Sequence, residues 1–214
     1  MGTTKIDRAR VADTALRLLN EVGLDGLTLR AIAGELDVKA PALYWHFKDK
    51  QELLDEMATV MYRRMLDEEP PGPAPVRWQD QLVTYQCVLR RTLLRYRDGA
   101  KVYSGARFTG IDHAPGLEAH LRTMIDAGFD LRQAVRAGTT ANAYTMGFVT
   151  EEQGVRPMPD ERREGYDIAE RAARMARYPL VAAAGPEIFS GYDERFEDGL
   201  WILVAGIEAR YGVA

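Results

Sequence analysis

The chain has 214 residues, of which 46% are hydrophobic and 28% are charged, with 28 Lys and Arg against 32 Asp and Glu. This composition excludes a disordered or collagen-like chain, and the length suits one domain or two small ones. The formal net charge of −4 means that any DNA binding must come from a local patch of the surface. With a single cysteine, Cys87, no disulfide framework is possible, which fits a reducing cytoplasm.

No apolar run reaches the roughly 18 residues of a membrane span, and no signal peptide opens the chain. We therefore expect a cytoplasmic protein with no membrane partner.

The first helix is predicted from apolar residues that recur at helical spacing, namely Val11, Ala15, Leu18, Leu19 and Val22. Gly23 ends that pattern. Thr28 is a suitable N-cap for a second helix through Leu36. After a two-residue connection, Pro41 suits the first turn of a third helix of seven or eight residues, and a fourth is predicted at about 49–67.

A proline-rich stretch at 69–75 cannot continue a helix. Beyond it, apolar spacing predicts further helices, with loops at 105–116 and 155–160; these helices are expected at about 82–96, 116–127, 130–153, 162–177 and 195–211. No sustained alternation of apolar and polar residues indicates a strand. The fold class is therefore predicted to be all-α.

The first fifty residues have the layout of a helix-turn-helix. A second helix would brace a third so that its N-terminal side chains reach base edges in the major groove. The small Ala33 lets these helices cross closely, and apolar residues can fix their angle, namely Leu16, Leu19, Leu27, Leu36, Val38 and Leu43. Tyr44, Trp45 and His46 can lie along phosphates. Residues 1–50 contain eight basic and seven acidic side chains, so charge alone does not establish DNA binding.

Residues 42–54, ALYWHFKDKQELL, resemble the recognition-helix signature of the TetR family of transcriptional regulators. Within that family the chain is similar to the tetracycline-repressor class, at 78–80 (WQD), 96–107 (YRDGAKVYSGAR), 127–129 (AGF) and 151–153 (EEQ). The resemblance implies a three-helix DNA-binding domain at 1–48 and a larger helical ligand-binding and dimerisation domain at 49–214. The helix at 49–67 would connect the two.

The resemblance also implies a DNA-binding role for individual residues. Arg30 matches a position that reads a guanine edge, and Ala40, Pro41 and Ala42 match the base-facing start of the third helix. The two alanines can contact thymine methyl groups but cannot pair with base edges, so Lys39 would supply part of the readout. The full set predicted to contact DNA is Thr28, Arg30, Lys39, Ala40, Pro41, Ala42, Tyr44, Trp45, His46, Lys48 and Lys50.

A ligand cavity is implied among the helices after Trp78. Its expected lining residues are Tyr85, Leu89, Tyr103, Arg107, Phe108, Leu117, His120, Leu121, Met124 and Val135, with Glu151 contributed by the partner subunit. For the aliphatic members of this set, plain core packing is an equal alternative. Tetracycline-binding members of the family have a histidine that coordinates magnesium where this chain has Tyr103, and an asparagine where it has Tyr85. Because a neutral phenol is a poor Mg²⁺ ligand, we expect a planar aromatic or polyketide-like ligand without a magnesium–tetracycline chelate, and no cofactor.

Ligand binding in this family implies a reshaped segment near 97–105 that pushes the fourth helix and changes the spacing of the two recognition helices. That mechanism requires a homodimer on a palindromic operator. We expect the dimer to form through the last helix, which contains Trp201, and the long helix at 130–153, which combines small and aromatic residues: Ala137, Gly138, Ala141, Ala143, Tyr144, Met146 and Phe148. The family default is repression.

Two alternatives were weighed. An enzyme is disfavoured, because the sequence has only His46, His113 and His120 and none of the common catalytic motifs. Asp112, His113 and His120 could begin a metal site, but further ligands are missing. The other alternative is a DNA-binding regulator without a small-molecule effector, or one that responds to a partner protein.

Overall fold

The computed structural model describes residues 6–67, 76–155 and 166–213. Within these ranges the chain is helical and contains no strand, which confirms the all-α prediction. The helices are α1 (Arg8–Gly26), α2 (Leu29–Glu35), α3 (Ala40–Leu43), α4 (Lys50–Leu66), α5 (Trp78–Leu94), α6 (Gly99–Tyr103), α7 (Ala114–Asp126), α8 (Leu131–Val155), α9 (Ile168–Arg174), α10 (Pro179–Ala183), α11 (Gly185–Phe189) and α12 (Tyr192–Tyr211). No helix of the described ranges is long and apolar enough to cross a membrane.

Capping side chains set the start of the first two helices. Asp7 accepts a hydrogen bond from the amide of Arg10, and Thr28 accepts one from the amide of Ala31, as the sequence predicts for an N-cap. Helical hydrogen bonding runs to Gly26, but Gly23 has a φ of 69° and breaks the helix geometry. The predicted stop at Gly23 is therefore a kink inside α1.

Helix α3 is shorter than the seven or eight residues predicted, since it ends at Leu43. Beyond that residue the chain coils more tightly: the amide of His46 bonds to the carbonyl of Leu43 over three residues, at 2.9 Å. Phe47, which is fully buried, anchors the end of this turn in the core. The recognition element is thus one helical turn followed by a rigid aromatic turn at 44–47, which we call the recognition turn.

One core cluster runs from α1, α2 and α3 into α4, α5 and α6. It contains the predicted Leu16, Leu19, Leu27 and Leu43, with Leu36 and Val38 packed against it, and it continues through Met57, Met61, Leu89 and Val102. Burial of this shared apolar surface joins α1 rigidly to α4.

A second core cluster lies between α5, α8 and α12, around Trp78, Phe129 and Phe196. Ala137 and Ala141 are 2% and 0% exposed within the chain, so they let α5 and α12 approach α8. The expectation that these two alanines form a subunit interface is wrong for this reason. The outer face of α12 is instead open, with Ile202 66% exposed.

The remaining boundaries differ from the predictions in local ways. Helix α7 begins two residues early because Pro115 fits its first turn, and α12 begins at Tyr192 with acidic residues in its first turn. Where one helix was predicted at 162–177, the described part holds only α9, followed by the unpredicted α10 and α11, which start with prolines in their first turns. The breaks predicted at 69–75 and 156–160, and positions 162–165, lie outside the described residues.

Candidate DNA-binding surface and ligand site

The recognition turn presents two aromatic side chains to the outside. Trp45 is 90% exposed and Tyr44 is 57% exposed, while the neighbouring Phe47 is buried. Two adjacent exposed aromatic side chains, with Lys48 exposed beside them, form an apolar patch that has a cation at its edge. The turn therefore has the character of a contact surface.

The other residues predicted to bind DNA lie beside this turn on α2, α3 and the start of α4. Exposed members are Thr28, Arg30, Lys39, Pro41, Lys48 and Lys50, and half-buried members are Ala40, Ala42 and His46. The hydroxyl oxygen of Thr28 caps α2, which leaves its hydrogen free to donate to a phosphate. Lys50 donates to the carbonyl of Leu24 at 3.0 Å, so one of its three hydrogens already holds the end of α1.

The residues predicted to bind a ligand are only partly brought together. Tyr103 lies 5.5 Å from Phe108 between ring centroids, and its hydroxyl is hydrogen-bonded to that of Tyr85. Two further aromatic rings contact Phe108: Tyr62 at 5.0 Å and His113 at 5.3 Å. We refer to these five residues as the aromatic cluster.

Burial governs the chemistry of the cluster. Loss of hydration raises the pKa of Tyr103, which is 9% exposed, and it raises the pKa of Tyr85, which is 41% exposed but has other phenols beside its hydroxyl, to about 12. Both phenols are therefore neutral at physiological pH. The buried Nδ1 atom of His113 has no hydrogen-bond partner among the described residues. A ligand at this cluster would meet aromatic faces, neutral hydroxyls and one unsatisfied imidazole nitrogen.

Tyr62 and His113 were not predicted as ligand contacts. Tyr62 follows the apolar pattern of α4 and reads as core, while His113 was weighed only as a possible metal ligand. Both residues contact Phe108 because the loop after α6 places Phe108 against α4. That loop conformation carries no periodic signal in the sequence.

The other predicted ligand contacts divide between the two core clusters and the surface. Leu89 is fully buried in the first core cluster, which also contains Tyr62 and Tyr103 and has Phe108 packed against it, whereas Met124 and Leu121 belong to the second. Arg107, Leu117 and Val135 are exposed. His120 is half-buried, and its burial lowers its pKa. Of the aliphatic residues for which core packing was the alternative, Leu89 and Leu121 pack into the two core clusters, while Leu117 and Val135 are exposed. Ligand contact by each of them stays a prediction.

Glu151 is exposed on α8 and lines a different cavity of about 150 Å³. Its other walls come from the end of α8, α11 and the start of α12, with Phe148, Val155, Ile188, Phe189, Tyr192 and Arg195. The predicted contribution of Glu151 to a partner subunit's ligand site stays a prediction. In the described part of the chain, no group of three or more His, Cys, Asp and Glu side chains could hold a metal ion.

The chain matches two family models. Residues 11–57 match the model described as bacterial regulatory proteins, tetR family, and residues 71–211 match the tetracyclin repressor-like C-terminal domain. Tetracycline repressor protein class C of Escherichia coli is 38% identical over 207 residues, covering 95% of this chain and 91% of that protein.

Solved structures of TetR proteins are also similar to this chain. A TetR variant from Acinetobacter baumannii AYE in complex with minocycline is similar at a TM-score of 0.71 and 32% identity, covering 97% of this chain and 99% of that one. The Streptomyces coelicolor TetR family protein ActR in complex with actinorhodin is similar at a TM-score of 0.78 and 26% identity, covering 98% and 100%. Both similarities extend over the DNA-binding part and the helical part that follows it.

Proposed function

Because the chain belongs to the tetR family of bacterial regulatory proteins, whose members are DNA-binding regulators and not enzymes, we propose that it is a transcriptional repressor released from DNA by a small molecule. In this proposal a cytoplasmic homodimer binds a palindromic operator, and an aromatic ligand at the aromatic cluster ends that binding. The observation that carries the proposal is the position of α4. This helix starts three residues after the recognition turn and places Tyr62 in the aromatic cluster.

The exposed surface supports contact with DNA. The recognition turn and the neighbouring Arg30, Lys39 and Lys48 form a face on which backbone contacts would set the register and Arg30 would read a base. A palindromic site follows from two-fold symmetry, since two such faces must meet major grooves about 34–36 Å apart. The open face of α12, with Trp201 and Ile202, is the surface we propose for the homodimer.

The chemistry of the aromatic cluster supports an aromatic ligand. Among the similar proteins, ActR binds actinorhodin and the Acinetobacter TetR variant binds minocycline. A magnesium chelate does not fit the residues present, because Tyr85 and Tyr103 are neutral phenols and Mg²⁺ prefers carboxylate, phosphate and water oxygens. We therefore propose an aromatic or polyketide-like ligand that binds without magnesium.

Selection of duplexes from a random pool by the purified chain tests DNA recognition, and light scattering gives the mass of the complex. We expect enrichment of one inverted repeat bound by two chains. A chain that enriches no sequence, or that binds as a monomer, would contradict the proposal.

The selected duplex then serves to test ligand release by fluorescence anisotropy. Actinorhodin and other fused-ring quinones are compared with minocycline plus MgCl₂. Release by an aromatic compound in the presence of a chelator supports the proposed ligand class, whereas release only by the magnesium chelate would contradict it. Sequence-specific binding that no compound affects would favour a regulator without a small-molecule effector.

A further inference from the structure

A chain of ion pairs leads from the recognition turn into α4. Arg8, the first residue of α1, donates from Nη1 to the backbone carbonyl of His46, and its guanidinium lies 4.4 Å from the ring centroid of Phe47. The same guanidinium pairs with Glu52 at 3.2 Å and with Glu56 at 3.1 Å. Arg8 thus holds both the carbonyl and the anchor ring of the recognition turn.

The chain of contacts continues through Glu56 to the other end of α4. The carboxylate of Glu56 also lies 3.7 Å from Nη1 of Arg63, and Nε of Arg63 donates to Asp112 at 2.7 Å. Glu56 is only 5% exposed, so its charge is shared between two arginines that come from different directions.

The far end of the chain lies at the aromatic cluster. Asp112 is adjacent in sequence to His113, whose ring contacts Phe108. Burial and the nearby charge of Asp112 together raise the pKa of Tyr62, which places that carboxylate beside the cluster as well. A ligand that displaces Phe108 or His113 would therefore move the residue that holds Arg63.

We propose that Arg8, Glu56, Arg63 and Asp112 are positioning residues that form an ion-pair relay between the aromatic cluster and the recognition turn. Loss of the Arg63–Asp112 contact frees Arg63 to close on Glu56. That carboxylate then binds Arg8 less strongly, and the His46 carbonyl loses its support. This inference rests on the proposed function, and it names the contacts through which ligand and DNA would compete.

The relay can couple the two ends of α4 because Glu56 is buried. Exposed ion pairs contribute little on their own, because solvent screens them, and Arg63 and Asp112 are both more than two-fifths exposed at their side chains. A buried carboxylate, by contrast, needs a cation at all times. When one arginine pairs less closely with Glu56, the other must therefore pair more closely, and this requirement couples the two ends of α4.

A double-mutant cycle tests this coupling on the full chain with the selected duplex. Arg8→Met removes the charge and keeps the aliphatic stem, Asp112→Asn removes the distal charge, and Arg122→Gln, in the exposed Arg122–Glu118 pair of α7, is the control. We expect Asp112→Asn to change duplex affinity by at least about twofold, the lower end of couplings within one ion-pair network. In the Arg8→Met background that effect should vanish. Additive effects would overturn the relay.

Hydrogen exchange of the free protein gives a second readout that needs no DNA. Asp112→Asn should increase exchange in the peptide covering 44–47, while Arg122→Gln leaves it unchanged; unchanged exchange in Asp112→Asn would also overturn the relay. If the chain selects no duplex, the proposed function fails while exchange still tests the relay. If it selects one and the cycle is additive, only the relay fails.

Discussion

The carboxylate of Asp98 accepts a hydrogen bond from the backbone amide of Leu24 at 3.0 Å, and this contact joins the turn before α6 to the end of α1. Asp98 adopts a left-handed conformation with a φ of 57° and also pairs with Lys101 at 2.7 Å. Asn20 supports the same junction through a hydrogen bond from the Arg97 amide. The kink at Gly23 thus lets α1 end against the turn before α6.

Asp98→Asn should flatten the acid dependence of stability. Burial alone would raise the pKa of Asp98, but the hydrogen bond from Leu24 and the pairing with Lys101 outweigh it and lower the pKa below its usual value. The unfolded chain then takes up the proton first as the pH falls. The stabilisation is therefore complete above an ordinary pKa of about 4 and is lost as the pH falls through the lower folded value.

Urea unfolding between pH 3 and pH 7 measures this effect. Asparagine tolerates the left-handed conformation and can still accept from Leu24, so Asp98→Asn removes the charge while it keeps the turn. Glu118→Gln, in an exposed ion pair on α7, is the control. Parallel pH profiles for Asp98→Asn and the wild type would contradict the prediction.

Gly199→Ala should destabilise the packing of α12 on α8. A Cβ atom there would lie 2.0 Å from the hydroxyl oxygen of Tyr144 and 2.7 Å from its ring, and that hydroxyl donates to the carbonyl of Phe196 at 3.2 Å. Overpacking of this kind costs about 1–3 kcal/mol. Gly34→Ala on α2, which is far from the proposed dimer surface in sequence, is the control: its Cβ meets no atom within 4 Å, and it should raise the free energy of unfolding by up to about 1 kcal/mol. Equal denaturation midpoints for the two variants would contradict this reading.

Sequence reasoning was most successful where a local rule determines the structure. The N-cap at Thr28 and the apolar positions that pack α1 against α2 and α3 each depend on residues a few positions apart, whereas the stop predicted at Gly23 is only a kink. Helix α10 was missed because five residues are too few to show a period. The length of α3 was overestimated because its end is set by the burial of Phe47, a tertiary contact.

The ligand site could be predicted only in part for the same reason. Tyr85, Tyr103 and Phe108 come together, and Leu89 lies in the same core cluster as Tyr103, whereas Met124 lies in the other. The resemblance alone could not separate cavity from core. His113 joins the cluster through the fold of the loop before α7. Arg8 and Asp112 come together only through α4, across 104 positions of sequence, and no spacing rule connects them.

Trp45→Ala should weaken operator binding without loss of stability. The side chain is 90% exposed, so its removal costs the folded chain almost no buried surface, while an aromatic side chain at the centre of an interface commonly contributes more than about tenfold in affinity. Tyr178→Ala is the matched control, since Tyr178 is 57% exposed far from α3 in sequence. Anisotropy with the selected duplex measures affinity, and thermal melting measures stability. A Trp45→Ala chain that binds like the wild type would exclude this residue from the interface.

Tyr103→His combined with Tyr85→Asn should create binding of a magnesium–tetracycline chelate. The substitutions replace two neutral phenols by an imidazole that can coordinate metal and an amide that can hydrogen-bond the drug. We expect the fluorescence of tetracycline to rise with this double variant in the presence of MgCl₂ and to fall again after addition of EDTA. The wild type should show neither change. A magnesium-dependent rise with the wild type would show that its phenols accept the chelate after all.

Arg30→Ala should relax the sequence preference of the chain at one base position of each half-site. Arg30 is exposed on α2 beside the recognition turn, and a bidentate pair between an arginine and a guanine is worth about 1–3 kcal/mol of discrimination. Lys48→Ala is the matched control, because a phosphate contact adds affinity without sequence information. Repeated duplex selection should therefore give a degenerate position for Arg30→Ala and an unchanged consensus for Lys48→Ala. The Lys48→Ala variant should bind all duplexes more weakly and with a shallower salt dependence. An unchanged consensus for Arg30→Ala would assign base readout to other side chains, of which Lys39 at the N-cap of α3 is the nearest cation in sequence.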